Sequence, residues 1–284
     1  MIPAAFDYVA PSTVDEAVRA LVEAGEDAKV IAGGQSLLPV LRMRLAAPTK
    51  LIDLGKVAEL RGIRDDGDCL VIGAMTTHYD VQRDHLVRAH ATLLALATDT
   101  VADPQIRHRG TFGGALAHAD PAGDLPATAL ALDAEMVVSG VDGRRTVPAA
   151  EFFVDFFTTA LAPTEILVEV RVPKRTGWSA HYEKFNRVAQ AWSVVGVAAA
   201  VRVERGSIVE ARVGLANMSS VPVRATAVEE ALVGQPATAE SIKAAAAHAA
   251  EGTSPVADGN ADGEFRQHLA RVLTGRAVAA AVGA

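Results

Sequence analysis

The stretch KVIAGGQSLLPVLRMRL, residues 29–45, decides the fold of this chain. Its first four residues, 29–32, are typical of a short buried strand, and residues 37–45 are typical of an apolar helix. Between them lie Gly33 and Gly34, which permit positive φ angles and let successive backbone N–H groups point at one place. The pattern predicts a strand, a tight turn and a helix in immediate succession.

The start of this helix carries signals of its own. Ser36 is predicted to be the N-cap, and Pro39 suits the first helical turn, where a missing N–H costs little. A glycine turn that leads into a helix N-terminus is well suited to bind an anionic diphosphate. A plain strand-to-helix turn has the same pattern, so this stretch alone leaves both interpretations open.

Strands and helices alternate on both sides of the stretch. We expect strands at residues 6–9, 29–32 and 50–54, and a first helix that Gly25 ends. The predicted apolar stripe of that helix consists of Val14, Ala17, Val18, Leu21 and Val22. A β-α-β-α-β unit predicts a small parallel sheet within a first part, residues 1–55. Neither the G-x-G-x-x-G nor the P-loop signature is present.

Two further parts follow, which makes the predicted fold class α+β. The second part, residues 56–173, mixes helices with antiparallel strands. Its predicted elements are strands at 69–72, 135–139, 144–147 and 165–172 and a helix at 86–97. The third part, residues 174–284, is a three-stranded meander followed by a bundle of three alanine-rich helices. These are predicted at 181–185, 194–203, 208–215, 223–233, 239–250 and 262–281.

Charge and cysteine content exclude several classes of protein. The formal net charge is −7 and no basic stripe is present, so we expect no nucleic-acid role. Cys69 is the only cysteine, which excludes a disulfide framework, a cysteine-rich zinc site and an iron–sulfur cluster built by this chain alone. The apolar run 194–201 is too short to span a bilayer, and the N-terminus does not resemble a signal peptide. We therefore expect a cytoplasmic protein that is not an integral membrane protein.

A second glycine-dense loop lies in the second part. Residues 107–124 read RHRGTFGGALAHADPAGD. Gly113 and Gly114 are predicted to offer a second pair of N–H groups, and Thr111 a hydroxyl donor. Two such loops fit a diphosphate held from both sides, although two independent turns are the simpler alternative.

Several motifs together are similar to those of one flavoprotein family. K-x-x-A-G-G-Q-S-L-L-P and T-x-G-G-x-x-A-x-A-D-P-x-x-D resemble the two FAD-pyrophosphate loops of the molybdenum hydroxylase flavoproteins. These are the FAD-binding medium subunits of aerobic carbon monoxide dehydrogenase and its relatives, and the FAD segment of xanthine dehydrogenase. The motifs F-D-Y-x-x-P, L-I-D-L, I-G-A-x-T-T and R-x-x-L-x-x-V-L-T-x-R extend the resemblance over almost the whole chain.

The resemblance implies a fold and a function. The fold is that of vanillyl-alcohol oxidase and related flavoproteins, with FAD between the first and second parts. The function is electron transfer within an oxidoreductase of at least three chains. A large partner with a molybdenum cofactor oxidises the substrate, and a small partner with two [2Fe–2S] clusters passes electrons to the FAD. An external acceptor then receives them, and the complex is a dimer of heterotrimers.

The resemblance also implies which residues contact FAD. They lie in the two glycine loops and at isolated positions elsewhere: Lys29, Ala32, Gly33, Gly34, Gln35, Ser36, Val101, Thr111, Phe112, Gly113, Gly114, Ala115, Asp124, Leu167, Lys184 and Trp192. Val101 and Leu167 match positions that pack against the cofactor, although either could be simple core. No residue of this chain is implied to be catalytic.

Three of these residues have implied roles, and for two of them an alternative is open. Asp124 matches an acid that contacts the cofactor, although it could instead cap a helix. Lys184 matches a cation near the isoalloxazine, which would favour the anionic reduced form. Trp192 matches an aromatic residue that approaches the ring, although it could be simple core. Many relatives carry an acid just before this aromatic residue, and this chain has Ala191 there.

Two other features of the sequence bear on a metal site and on covalent attachment of the flavin. His118 and Asp120 form an H-x-D pair, but no third ligand lies nearby in the sequence, so we expect no metal site. Gln35 stands in the first loop, where covalent relatives of the wider fold use His or Cys, so we expect non-covalent FAD.

Two other functions remain open from the sequence: a freestanding FAD-dependent oxidoreductase of the same fold, and a non-redox nucleotide-binding protein.

Overall fold

The computed structural model of the chain describes residues 2–284. Its first sheet is three-stranded, has the order β1-β3-β2 and pairs both neighbours in parallel, as predicted. The elements of this region are β1 (Asp7–Val9), α1 (Val14–Ala24), β2 (Ala28–Ile31), α2 (Leu37–Arg42), β3 (Lys50–Asp53) and two 3₁₀ turns at Leu54–Lys56 and Ala58–Leu60.

Two details of the first region differ from the prediction. Val22 is 45% exposed, so the buried stripe of α1 lacks it. The predicted helix 37–45 ends early, at Arg42, because Arg44 adopts a left-handed conformation with φ 58° and turns the chain away.

The second region is built on a five-stranded antiparallel sheet of order β4-β5-β10-β6-β7. Its strands are β4 (Ile63–Asp66), β5 (Cys69–Gly73), β6 (Glu135–Gly140), β7 (Gly143–Pro148) and β10 (Ile166–Pro173), with a small ribbon of β8 (Phe153–Asp155) and β9 (Thr158–Thr159). Its helices are α3 (His78–Arg83), α4 (His85–His90), α5 (Thr92–Asp99), α6 (Pro104–Arg107), α7 (Phe112–His118), α8 (Asp124–Ala131) and α9 (Ala149–Phe152). The single helix predicted at 86–97 is wrong, because the backbone of Ala91 leaves the helical region at φ −138°, ψ 49° and separates α4 from α5.

The third region also departs from the prediction in one respect. Its sheet is four-stranded rather than three-stranded, with the order β11-β12-β13-β14. The extra strand pairs Val223 and Arg224 with Leu215 and Gly214, so the helix predicted from residue 223 begins only at Thr226. The elements are β11 (Ser179–Phe185), β12 (Val195–Glu204), β13 (Ser207–Ala216), β14 (Val223–Arg224), α10 (Thr226–Leu232), α11 (Ala239–Ala246), a 3₁₀ turn (Ala247–Ala250) and α12 (Gly263–Val282).

Alternate side chains of the same strand pack into different hydrophobic cores and so join the regions. In β12, Ala198 and Ala200 pack into the core around α5 and α8, while Val197, Ala199 and Val201 pack against the C-terminal helices. A strand buried on both faces explains the continuous apolar run of residues 194–201. The first region packs on the outer face of the second sheet, where the side chains of β6 and β10 join the core of α1.

The predicted division of the chain after residues 55 and 173 stays a prediction. No helix in residues 2–284 is both long enough and apolar enough to cross a membrane.

The contact between α8 and β13 gives a stability prediction. A Cβ added to Gly214 would lie 2.3 Å from the backbone oxygen of Ala127, so Gly214→Ala forces the helix off the sheet. We expect the free energy of unfolding to fall by about 1–3 kcal/mol in urea denaturation. Gly275→Ala is the matched control, since its nearest contact is an ordinary 3.6 Å and alanine favours the helix interior by about 1 kcal/mol. Equal effects of the two substitutions would contradict the close packing.

Candidate cofactor-binding site

A cavity of about 690 Å³ lies where the three regions meet. Its wall contains every residue that the family resemblance assigned to the site except Phe112. The first region contributes the loop after β2, the second contributes the loop before α7, and the third contributes Lys184 and Trp192. Side chains from distant parts of the sequence are thus brought to one space, while their contact with a cofactor stays a prediction.

The first glycine loop leaves a run of backbone donors open. Within residues 2–284, the N–H groups of Gly33, Gly34, Gln35 and Ser36 donate no hydrogen bond. Gly34 has φ 74°, as its predicted role requires, and the Gln35 side chain donates to the Gly33 oxygen at 2.9 Å. Ser36 occupies the N-cap position of α2, as predicted, although its hydroxyl makes no capping bond. Four adjacent unpaired donors at a cavity wall are suited to an anion.

Glycine also allows the two loops to touch. A Cβ on Gly33 would lie 2.2 Å from the oxygen of Arg109 and 2.7 Å from the Cα of Gly110. A Cβ on Gly114 would lie 3.4 Å from the Cβ of Ala32. The first loop therefore rests directly on the segment that begins the second, and the two form one wall of the cavity.

The second loop differs from the prediction in its hydrogen bonds. The Gly113 N–H donates to the oxygen of Ala74 at 2.9 Å, and the Gly114 N–H donates to the Thr111 hydroxyl at 3.1 Å. Thr111 is thus the N-cap of α7, and the glycine pair does not offer two free donors. Phe112, which the resemblance assigns to the cofactor site, does not line the cavity, because its side chain is fully buried in the central hydrophobic core. Ala115 lines the cavity from the first turn of α7.

Asp124 is the centre of a buried polar network. Its Oδ1 accepts hydrogen bonds from the Tyr182 hydroxyl at 2.7 Å and the Ser193 hydroxyl at 2.6 Å, and its Oδ2 accepts one from Lys184 Nζ at 2.8 Å. The helix-cap alternative is wrong, because Gly123 is the N-cap of α8 and the carboxylate points at the third region instead. Burial, followed by the Asp124 charge, raises the pKa of Tyr182 well above its usual value, so the phenol stays a donor.

Lys184 is an ion-paired cation rather than a free one. The side chains of Lys184 and Asp124 are 8% and 4% exposed, and Nζ also donates to the oxygen of Thr100 at 3.3 Å. The proximity of this cation to the isoalloxazine stays a prediction, and the Asp124 carboxylate offsets most of its charge within 3 Å.

Aromatic side chains form the wall near the third region. Trp192 is 54% exposed at the cavity, which contradicts the simple-core alternative. The sequence analysis missed Phe157, whose ring centroid lies 5.1 Å from that of His118, which in turn lies 6.5 Å from Trp192. Phe157 adopts φ 51°, and no sequence signal marked it. Ala191, at the position where relatives carry an acid, also lines the cavity.

The His118–Asp120 pair also faces this space. Burial lowers the pKa of His118 and raises the pKa of Asp120, and His118 Nε2 lies 4.0 Å from Asp120 Oδ2. Among residues 2–284, no group of three or more His, Cys, Asp or Glu side chains is arranged to hold a metal ion.

The remaining assigned residues line the cavity at its edges. Lys29 is exposed, Val101 is half-buried and Leu167 is buried beside a bulge in β10. His78 was missed by the sequence analysis, although it directly follows the I-G-A-x-T-T motif. It is 5% exposed, and burial followed by the Arg107 charge lowers its pKa to about 4, so the imidazole is neutral at pH 7.

The Asp124 network predicts a large stability effect. Asp124→Asn keeps the acceptor for Tyr182 and Ser193 but presents an amide to the buried Lys184 ammonium. Leaving a buried charge without its partner costs about 3–5 kcal/mol, which guanidinium denaturation of the apoprotein would measure. The double variant Asp124→Asn with Lys184→Met should recover part of that loss.

Asp262→Asn is the matched control for this prediction. Asp262 caps α12 through the N–H of Phe265 at 2.7 Å, and asparagine caps a helix equally well. Its free energy of unfolding should stay near that of the unchanged protein. A denaturation midpoint of Asp124→Asn equal to this control would contradict the network.

Comparison with known proteins identifies the family. The family model "FAD binding domain in molybdopterin dehydrogenase" matches residues 4–175, and the model "CO dehydrogenase flavoprotein C-terminal domain" matches residues 180–281. The chain is 41% identical to the carbon monoxide dehydrogenase medium chain of Hydrogenophaga pseudoflava, over 99% of this chain and 98% of that one. It is 36% identical to subunit alpha of the 6-hydroxypseudooxynicotine dehydrogenase complex of Paenarthrobacter nicotinovorans, over 99% and 96%.

A solved structure agrees with this result. Carbon monoxide dehydrogenase from Hydrogenophaga pseudoflava, solved in a form that lacks the Mo-pyranopterin moiety of its molybdenum cofactor, superposes with a TM-score of 0.97. The match has 43% sequence identity and covers 100% of this chain and 99% of that one. The chain therefore belongs to the molybdenum hydroxylase flavoproteins and is a FAD-binding oxidoreductase subunit of the carbon monoxide dehydrogenase type.

Proposed function

We propose that this chain holds one FAD without a covalent bond and transfers electrons from the [2Fe–2S] clusters of a small partner subunit to an external acceptor. The observation that carries the proposal is the run of four unpaired N–H groups, from Gly33 to Ser36, in the cavity wall of a chain with a FAD-binding domain. These donors suit the diphosphate of FAD, and the three-part architecture supports a vanillyl-alcohol-oxidase-like fold.

Different residues of the cavity bind and orient different parts of FAD. Gly33 to Ser36 hold the diphosphate through backbone donors, while Thr111 fixes the second loop by capping α7. Lys184 and Asp124 present a paired, nearly neutral polar edge, and Trp192 and Phe157 present aromatic surface from the neighbouring wall. When bound, the flavin supplies two-electron and one-electron redox chemistry, which the protein tunes through these contacts.

The electron donor has to come from a partner. The chain has one cysteine, and residues 2–284 contain no metal-ligating group of three, so neither an iron–sulfur cluster nor a metal centre is built from its own side chains. The relatives are named as a medium chain and as a subunit of a complex. We therefore propose a small iron–sulfur subunit and a large molybdenum-cofactor subunit as partners, in a dimer of heterotrimers.

The substrate belongs to the large partner rather than to this chain. The two relatives are named for carbon monoxide and for 6-hydroxypseudooxynicotine, yet both align over nearly the full length of this chain. A flavin subunit that serves such different substrates does not select them. A cytoplasmic location is part of the proposal, and the lack of any possible disulfide framework supports it.

A substitution in the first glycine loop is predicted to weaken FAD binding. Gly34→Val places a β-branched side chain at φ 74°, which costs about 1–3 kcal/mol of strain, and its Cβ meets Leu38 at 3.0 Å. We expect FAD affinity to fall about tenfold to a hundredfold, measured by flavin absorbance per protein after dialysis. Gly67→Val is the control, because Gly67 has a similar φ of 69° in a hairpin turn outside the cavity. Full FAD content in Gly34→Val would exclude the first loop as the diphosphate site.

The partner proposal predicts the behaviour of native material. We expect the chain to elute with two other subunits in size-exclusion chromatography of natively expressed protein. The isolated chain should accept electrons from a strong artificial reductant but oxidise no carbon monoxide or heterocycle by itself. A lone monomer or homodimer that turns over a substrate unaided would instead support a freestanding oxidoreductase.

A further inference from the structure

Three enclosed polar atoms where α3 and α6 pack together find no hydrogen-bond partner among residues 2–284. They are His78 Nδ1, Gln82 Oε1 and Arg107 Nε. His78 and Gln82 lie one turn apart on the same face of α3, and α6, which carries Arg107, packs against that helix. Because buried polar atoms are nearly always paired, such a group needs an explanation.

The two ring nitrogens of His78 have different surroundings. Nδ1 is enclosed with no contact to solvent, whereas Nε2 is not among the enclosed unpaired atoms, and His78 is one of the residues that line the cavity. A Cβ on Gly110 would lie 2.7 Å from Cδ2 and 2.9 Å from Nε2, so this edge of the ring rests on the Gly110 backbone. Nε2 is therefore the nitrogen that opens towards the cavity.

The position of Gly110 indicates which part of the cavity His78 Nε2 is near. Gly110 also lies against Gly33, whose added Cβ would be 2.7 Å from the Gly110 Cα. Gly33 begins the run of unpaired N–H groups in the first loop. The ring edge of His78, Gly110 and Gly33 are consequently in contiguous contact, and Nε2 opens beside the proposed diphosphate seat.

The neutral imidazole of His78 can act as an uncharged hydrogen-bond donor. His78 is neutral at pH 7 and carries a single N–H. The unpaired atoms of Gln82 and Arg107 are an acceptor and a donor respectively, so the place of the proton on Nε2 is part of the proposal.

We propose that His78 donates a hydrogen bond from Nε2 to the diphosphate of the cofactor and so supplements the backbone donors of the first loop. This inference rests on the proposed function, since it takes FAD as the occupant of the cavity. It assigns a role to a residue outside the two glycine loops and explains why a histidine is buried at the cavity wall.

Two substitutions of His78 test the proposal, because their amide N–H groups lie at the positions of different ring nitrogens. Glutamine places its amide nitrogen near the position of histidine Nε2, and asparagine places it near that of Nδ1. We expect His78→Gln to bind FAD and ADP within about threefold of the unchanged protein. His78→Asn should bind both about tenfold to a hundredfold more weakly, since hydrogen bonds to charged groups are the strong ones. Riboflavin, which has no diphosphate, should bind all three proteins equally.

The ligand titrations are interpreted only for apoproteins that are shown to be folded. Equal FAD affinity of His78→Asn and the unchanged protein overturns the proposal, and so does an equal loss in both variants or a loss that extends to riboflavin. If the unchanged protein binds no FAD, the proposed function fails instead, and the two failures are distinguishable.

A measurement on the unchanged protein keeps the test valid if a variant does not fold. Nitrogen NMR of histidine-labelled full chain reports which ring nitrogen carries the proton. We expect the His78 proton on Nε2, with a downfield shift on addition of FAD or ADP and none with riboflavin. A proton on Nδ1, or a shift that riboflavin reproduces, overturns the assignment.

Discussion

The buried carboxylate of Asp124 is the interaction on which the arrangement of the three regions depends. It begins α8 in the second region, yet all three of its side-chain donors, Tyr182, Ser193 and Lys184, belong to the third. A buried charge is tolerated only when its lone pairs are well matched, so the carboxylate fixes β11 and the loop before β12 against α8. Asn217 reinforces this contact, because its N–H donates to Pro121 and its side chain donates to the Ser193 oxygen.

The same contact shapes the cavity. Ser193 follows Trp192 directly, so the bond that joins two regions also sets where the tryptophan stands at the cavity wall. Arg266 of α12, 1% exposed, donates to the oxygen of Val194 and pairs with Asp258 at 2.7 Å. The loop that carries Trp192 is thus held from the second region and from the C-terminal helices, which keeps an aromatic side chain in place although it is half exposed.

Glycine serves two different physical needs in the other walls. Gly34 is needed for its positive φ angle, while Gly33 and Gly113 are needed because neighbouring backbone comes too close for a Cβ. The second use joins the loops to each other and to Ala74, and it consumes the N–H groups of Gly113 and Gly114 internally. The two loops are therefore not equivalent: one offers open donors, and the other supports it.

The sequence by itself determined the local features of this protein. The strand–glycine–helix stretch at residues 29–45, the parallel first sheet and the positive φ of Gly34 follow from short-range rules of conformation, and the motifs identified the family. Only the tertiary structure decided that Phe112 is buried in the core, that Asp124 bridges two regions rather than caps a helix, and that His78 and Phe157 reach the cavity. These outcomes depend on contacts between residues far apart in the chain, and no local pattern encodes which side chains such packing brings together or leaves without a partner.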